Sequence, residues 1–539
     1  MPDDRSRQAT LEPELLESTI LARSPAGSEI AEVLGRFYRE GAGRLLWLSD
    51  GQASPAARSL PAALRGLPED VSREAIGLAE VESALAGWRA GGAARDAAAF
   101  EVTLGASFTA AGAWLGGRGP GSTTAALLGE LPRRAVDLVA ALERVAAGGE
   151  VAQALAALEP SSPEYRRLLA EVPRYRQIAE RGDLPLLPFE PGRNTLEPAQ
   201  PASPDFLALL AQRLAFEGFA PEPAPAGADP GLYSPELAAA LTSYQAARGL
   251  LADGKLGRDT LAALNVSARG RLAQLVVNLA RWRALAEPPA GLHVTVNVPA
   301  FRLSVRDGGR ELLSLPVVVG KKDWPTPAFA DEIVSIVLNP AWNVPESILR
   351  EEILAKIQAD PTYLEKEGIE VLASWAAGAP LVDAGTIDWP SLRPDQVPYR
   401  LRQRPGKANQ LGRIKIDLPN HHDVYLHDTP AKSAFLRANR AVSHGCVRVQ
   451  EPFRLAELLV KDLPAWREGK LQKAAAEGVE TTILLPRRVP IFLTYFTAEV
   501  GEDGTLELFR DVYGWDEEAR QAQTSPAPQP AAPPIAVLP

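Results

Sequence analysis

"GLHVTVNVPAFRLSVRDGGRELLSLPVVVG", residues 291–320, is where the apolar period of this chain changes. Its runs "LHVTVNV", "FRLSVRD" and "ELLSLPVVVG" are strand-like, rich in β-branched side chains and punctuated by Gly and Pro, the pattern of strands joined by turns. "DEIVSIVLNP" (331–340) continues the pattern, and it resumes in "GRIKIDL" (412–418), "DVYLHD" (423–428), "TTILLP" (481–486), "VPIFLTYFTAEV" (489–500) and "TLELFRDVYG" (505–514). An antiparallel β unit is therefore predicted over 291–516, interrupted at 345–400 by a helical, polar insertion.

Upstream of Gly291 the spacing is helical. Residues 205–267 read as three short helices. Ser234 and Pro235 start the second, with Ser at the N-cap and Pro at the first helical position, and Asp253–Gly254 supplies the turn before the third. "ARGRLAQLVVNLARWRALA" (268–286) predicts a long amphipathic helix connecting this module to the strands over 268–290. Residues 27–183, rich in Ala and Leu, read as a helical domain. The Pro-rich 184–204 segment reads as an extended spacer or surface wrap. Residues 1–26 and 517–539 read as disordered termini.

Several domains are required in any case, because 539 residues exceed what one hydrophobic core supports. A net charge of −10 disfavours general nucleic-acid affinity, which needs a basic surface to displace counterions. A single cysteine rules out an internal disulfide and any zinc site built on two thiolates of this chain. The first residues carry no apolar run behind a basic start, and no stretch reaches the roughly 18 apolar residues of a membrane span. The expectation is a chain without an integral membrane segment, either cytoplasmic or lacking its export signal in this sequence.

The lone thiol sits in "AVSHGCVRV" (441–449), directly after His444 and Gly445. A cysteine nucleophile acts as thiolate, so it needs a base or a cation nearby. The chain has five histidines, and four of them (His421, His422, His427 and His444) lie just upstream. Strand alternation in "DVYLHDT" puts Tyr425, His427 and Thr429 on one face. His427 then ends a strand from which a loop can return to Cys446, where the amides of Gly445 and Cys446 could form an oxyanion hole. The competing readings are a buried structural thiol, a solvated histidine, and a metal site on His427, His444 and Cys446. The metal site is disfavoured by the lack of a second Cys or an HExxH pattern.

"HDTP" (427–430) followed by "SHGCVRV" (443–449) resembles the signature of the L,D-transpeptidases, with the YkuD-type catalytic domain. "VVVGKKDWPTP" (317–327), "NPAWNVP" (339–345) and "LGRIKIDLPN" (411–420) agree with the large multidomain periplasmic branch of that family. "YQAARGLLADGKLGRDTLAALNV" (244–266) is similar to its peptidoglycan-binding module, and "GRFYREGAGRLLWL" (35–48) to its scaffold domain. The resemblance implies an α+β multidomain architecture: a helical scaffold, a three-helix peptidoglycan-binding domain, and a mostly antiparallel β catalytic domain with a capping insertion at 345–400.

It also implies the chemistry. Cys446 would attack the tetrapeptide stem of peptidoglycan, expelling D-alanine, and an amine of a second stem would resolve the thioester into a 3→3 cross-link. His427 would be the base, the backbone or side chain of Asp428 its orienting group, and Gly445 with Cys446 the oxyanion donors. Ser443, His444 and Arg448 would shape the loop or bind substrate, and Tyr425 would line the site. Arg402 and Arg404, within the basic stretch Arg400–Lys415, would steer carboxylate-rich stems. No metal or cofactor is implied. The partners would be peptidoglycan stem peptides and other cell-wall synthesis proteins, the location periplasmic, and carbapenems would acylate the thiol. A thiol hydrolase sharing every catalytic residue and a non-catalytic peptidoglycan-binding protein are the alternatives.

Overall fold

The computed structural model describes residues 10–24, 28–90, 93–119, 125–188, 194–376, 378–467 and 469–524. The chain divides into two compact units. One takes in the chain up to Arg248, Ala252–Glu287 and the segment from Thr497 onward; the other is Gly249–Leu251 with Pro288–Phe496.

The first unit is mostly helical. Ser28 caps the helix Glu29–Glu40 by accepting from Ala31 N–H, and Leu34, Phe37 and Tyr38 of that helix join the core around the long helix Ala94–Leu115. Buried within that long helix, Glu101 accepts from the N–H groups of Leu46, Trp47 and Leu48 and from the Tyr38 hydroxyl, which pins an irregular segment to the helix. Three further helices, Pro204–Phe216, Pro235–Ala247 and Arg258–Leu264, form the small module, with the Ser234 hydroxyl accepting from Leu237 N–H as its N-cap. The Pro-rich segment wraps this module. Arg213 donates to the carbonyls of Leu184 and Pro185, and isolated bridges join Leu196 to Leu256 and Pro201 to Leu232.

The helix Ala268–Ala284 runs through the middle of this unit and is buried on more than one face, including Arg271, Asn278, Arg281 and Arg283. Each arginine needs a partner there. Arg283 is bonded by the carboxylate of Asp70 and by the Tyr165 hydroxyl, and Arg281 by Asp516.

Two sequence expectations differ from what is found at the termini. Within the segment read as a disordered start, Pro13–Arg23 is a helix with Leu16 and Ile20 buried. Within the segment read as a tail, the helix Trp515–Thr524 extends past 517, because Asp516 is tied to Arg281 and Ala519 is fully buried. The hairpin Ala498–Val500 with Leu506–Leu508, read as closing the β domain, instead packs Ala498, Val500, Leu506 and Leu508 on Tyr165, Leu168, Leu275 and Leu279 of the helical unit. Alternation predicts a hairpin but does not say which core receives its apolar face.

The second unit is built on a nine-stranded sheet. From Arg310–Gly320 it runs through Val447–Val449, Leu426–His427, Ile414–Asp417, Phe329–Leu338, Thr481–Thr494, His293–Asn297 and Arg302–Asp307, which pairs back onto Arg310–Gly320. These eight strands close into a ring, and Ala441–Ser443 attaches beside Arg310–Gly320. Most pairings are antiparallel. Leu426–His427 with Val447–Val449, Thr481–Thr494 with His293–Asn297, and Ala441–Ser443 with Arg310–Gly320 are parallel. A parallel neighbour requires a crossover, and the 19-residue path from His427 to Cys446 is one such crossover.

The 345–400 insertion is more than helical. Its short helices pack with a four-stranded sheet ordered Trp342–Asn343, Arg400–Gln403, Ile369–Leu372, Leu381–Val382. Trp342 and Trp389 are buried in its own core, with Tyr363 and Tyr399 packed against it. The strands are two to four residues long, too short to give a period-two signal.

Candidate active site

Strand register gathers the polar residues. His427 is opposite Arg448 on one side and Lys415 on the other, and the Val447 N–H to Tyr425 carbonyl bond (3.1 Å) carries the same register back to Cys446. Tyr425, His427, Cys446, Arg448 and Lys415 therefore share one face, while Leu426, Val447, Val449, Ile414 and Ile416 fill the core on the other. Cys446 and His427 lie diagonally across the two strands. The path between them folds back through a turn, Lys432–Leu436, whose Phe435 packs with Val318.

This face is cationic, with His427 buried and Tyr425, Cys446, Arg448 and Lys415 half-buried around it. Burial, with Arg448 adding to it, lowers the His427 imidazole to about 3, so it is neutral at physiological pH. Burial also pushes the Cys446 thiol up, against the opposing pull of Tyr425, Lys415 and Arg448. The resting pair is thus a protonated thiol and a neutral imidazole. His427 Nδ1 and Arg448 Nε are both buried with no hydrogen-bond partner among the described residues. Tyr425 is set edge-on to His427 with ring centroids 5.5 Å apart, and the Lys415 ammonium lies 4.5 Å from the Tyr425 ring centre. Lys415 is also paired to Asp417 at 2.6 Å.

The Asp428 carboxylate turns away from His427, as its position in the strand demands. It accepts from Arg413 N–H at 3.0 Å and pairs with Lys432, and it packs so closely on Gly412 (φ +59°) that a Cβ there would lie 2.3 Å from its Oδ2. The side-chain version of its orienting role is therefore corrected. The Asp428 backbone, and at longer range its charge, favour the charged His427 ring, against burial and Arg448.

The thiol loop is held from several directions. Gly445 takes φ +110°, a conformation side chains resist. Its carbonyl accepts from the buried Thr326 hydroxyl at 2.6 Å, and its N–H donates to Ser443 Oγ at 3.2 Å, while the Ser443 hydroxyl donates to the Cys446 carbonyl at 2.6 Å. The Gly445 amide is thereby spent inside the loop. The Cys446 N–H has no partner among the described residues. His444 stacks edge-on to Trp324 (5.1 Å) and bonds Glu352 of the insertion at 2.6 Å.

Arg402 and Arg404 are not gathered here. Arg402 lies in the insertion's sheet and is paired with Glu370 at 2.7 Å; Arg404 is exposed beyond the strand end, its N–H bonded to the Gly368 carbonyl. The paired guanidinium of Arg402 removes the reason to count it as a free carboxylate receptor. Sequence reasoning counted Lys415 only within the basic stretch Arg400–Lys415 and singled out neither Thr326 nor Glu352. Lys415 was detectable, since it alternates with Asp417 on an otherwise apolar strand; Glu352 carries no local signal.

Comparison with known proteins follows the same division. Residues 291–469 match the family described as "L,D-transpeptidase catalytic domain", residues 32–171 the "Scaffold domain", and residues 204–264 the "Putative peptidoglycan binding domain". A Haemophilus influenzae protein named "Putative L,D-transpeptidase" is 32% identical over 281 residues, 51% of this chain and 56% of that protein. The chain thus matches about half the length of that relative. Among solved structures, an L,D-transpeptidase from Mycobacterium smegmatis is 14% identical over 38% of this chain and 59% of its own, with a TM-score of 0.19. One from Xylanimonas cellulosilytica is 15% identical over 57% of this chain and 100% of its own, with a TM-score of 0.18. Overlaps that low carry no structural argument.

Proposed function

We propose, for a chain that carries an L,D-transpeptidase catalytic domain beside a peptidoglycan-binding domain and a scaffold domain, that it forms 3→3 cross-links between peptidoglycan stems through a thioester on Cys446. The observation that carries this reading is the one strand face shared by the chain's half-buried thiol and a neutral, buried imidazole. Cys446 Sγ bonds to the carbonyl carbon of the stem's third residue as its proton passes to His427. The imidazolium returns that proton to the departing amine of D-alanine, and the C–N bond breaks. An acceptor amine then attacks the thioester, loses its proton to His427, and expels the thiolate.

The tetrahedral oxyanion would find the Cys446 N–H, and the unpaired Arg448 guanidinium would hold a substrate carboxylate. Tyr425 and Lys415 wall the site, and Ser443 and His444 set the loop's shape. The alternative, hydrolysis of the same acyl-enzyme, differs only in the acceptor. The small module would anchor the enzyme to the wall, and the periplasm would be its location. Other cell-wall synthesis proteins would be its partners.

Mass spectrometry of tetrapeptide muropeptides incubated with the full chain tests the reaction. Dimers that have lost one D-alanine support it, monomeric tripeptides alone indicate hydrolysis, and no change rejects both. A carbapenem is expected to add one drug mass to the wild type and none to Cys446→Ala; labelling that persists in the mutant would misplace the site.

A further inference from the structure

We infer that Glu352, delivered by the insertion, is a positioning residue for the Cys446 loop, acting through His444. This deepens the transpeptidase reading and rests on it for the chemistry.

Besides its internal bonds, the loop Ser443–Cys446 is held by the Lys321 N–H on the Ser443 carbonyl (2.9 Å), by Thr326 on the Gly445 carbonyl, by the Cys446 thiol on the Asp423 carbonyl (3.6 Å) and, from the insertion, by the 2.6 Å contact between His444 Nε2 and Glu352 Oε1. Trp324 sits edge-on to the same imidazole. A ring with one nitrogen held and its plane set by an aromatic neighbour has little freedom left. The two residues that follow are Gly445, whose backbone is strained for any other side chain, and Cys446. Rotation of His444 would therefore be passed directly to the thiol and to its N–H.

The backbone of the insertion is specialised where it supplies Glu352. Leu349–Ile353 is a π-helical turn in which Leu354 N–H bonds the Leu349 carbonyl. Such turns are rare and cluster at functional sites. Here the extra residue lets Leu349 and Ile353 stay buried in the insertion's core while Glu352 reaches the loop. Partial burial raises Glu352, but the bond to His444 and the charges of His444, Lys356 and Lys321 outweigh this and hold its carboxyl below the usual range. Lys321 lies 4.0 Å away. The carboxylate is thus kept ionised and able to accept from His444.

The test is the rate of carbapenem acylation of the full chain, followed by intact mass, in wild type, Glu352→Ala, Glu352→Gln, His444→Ala and the Glu352→Ala/His444→Ala double variant. Glu352→Ala is expected to slow acylation about tenfold at an unchanged melting temperature. Glu352→Gln, whose amide oxygen can still accept from Nε2–H, should recover most of the rate. The double variant should be no slower than the slower single, because both remove the same tie. Wild-type rates in Glu352→Ala, or losses that multiply in the double variant, would overturn the inference. Alkylation of the sole thiol by iodoacetamide in the same variants separates the two readings. If the wild type resists acylation yet its alkylation rate depends on Glu352, the transpeptidase reading falls and the positioning role stands. If alkylation and acylation are both indifferent to Glu352, the positioning role falls alone.

Discussion

Arg283, buried, and Arg448, half-buried with its Nε out of reach of water, lie in different units, and their surroundings differ in kind. Arg283 has Asp70 across two of its nitrogens and the Tyr165 hydroxyl on Nε, with both charged side chains almost fully buried. Arg448 has a buried Nε with no partner and no carboxylate paired to it among the described residues, beside an imidazole whose Nδ1 is equally unpartnered. The first arrangement is closed and serves architecture. The second leaves hydrogen-bonding capacity open, which folding does not reward and substrate binding can use.

Removing Asp70 should give the largest effect on stability. Asp70→Ala leaves Arg283 charged and uncompensated in the interior and is expected to cost about 3–5 kcal/mol, read from urea denaturation, while Asp70→Ala/Arg283→Met should recover much of it. If Asp70→Ala is silent, the contrast between closed and open charge is wrong.

The pH response of the site comes next. The base works as neutral imidazole, which is present above its pKa and lost as pH falls through about 3. The acylation rate should therefore lack an acid limb near pH 6.5, where an ordinary histidine would put one. The same depression means that the unfolded chain takes up a proton before the folded one does. Stability should decline as pH falls below about 6.5, by at most about 1.4 kcal/mol per pH unit, and His427→Gln should remove that slope.

Arg448→Met sharpens the comparison from the other side. Because no ion pair is broken, the melting temperature should hold or rise, while acylation by a carboxylate-bearing substrate should fall about tenfold. A large loss of stability would mean that Arg448 is structural like Arg283. The smallest effect belongs to the exposed Arg404, where Arg404→Glu should change turnover by less than about twofold.

Much of the site was legible in the chain because its motifs are local. Cys446, Gly445 and Ser443 share a single turn, and alternation in "DVYLHDT" set His427 and Tyr425 on one face. The same alternation turns Asp428 to the opposite face, and its carboxylate meets Arg413 and Lys432 there. The expectation for Arg402 failed for a different reason. Counting basic residues along a segment ignores the strand laid beside it, and that strand brings Glu370.

By itself the sequence determined the order of domains, the period of each element, the N-caps, and which thiol and which imidazole could meet. These are short-range properties, set by side-chain spacing and backbone preference. Only the tertiary structure decided that the last hairpin joins the helical core, that parallel pairing sets Arg448 opposite His427, and that a glutamate 92 residues before His444 grips its ring. Each of these depends on which surfaces bury one another, and burial is a property of the whole chain.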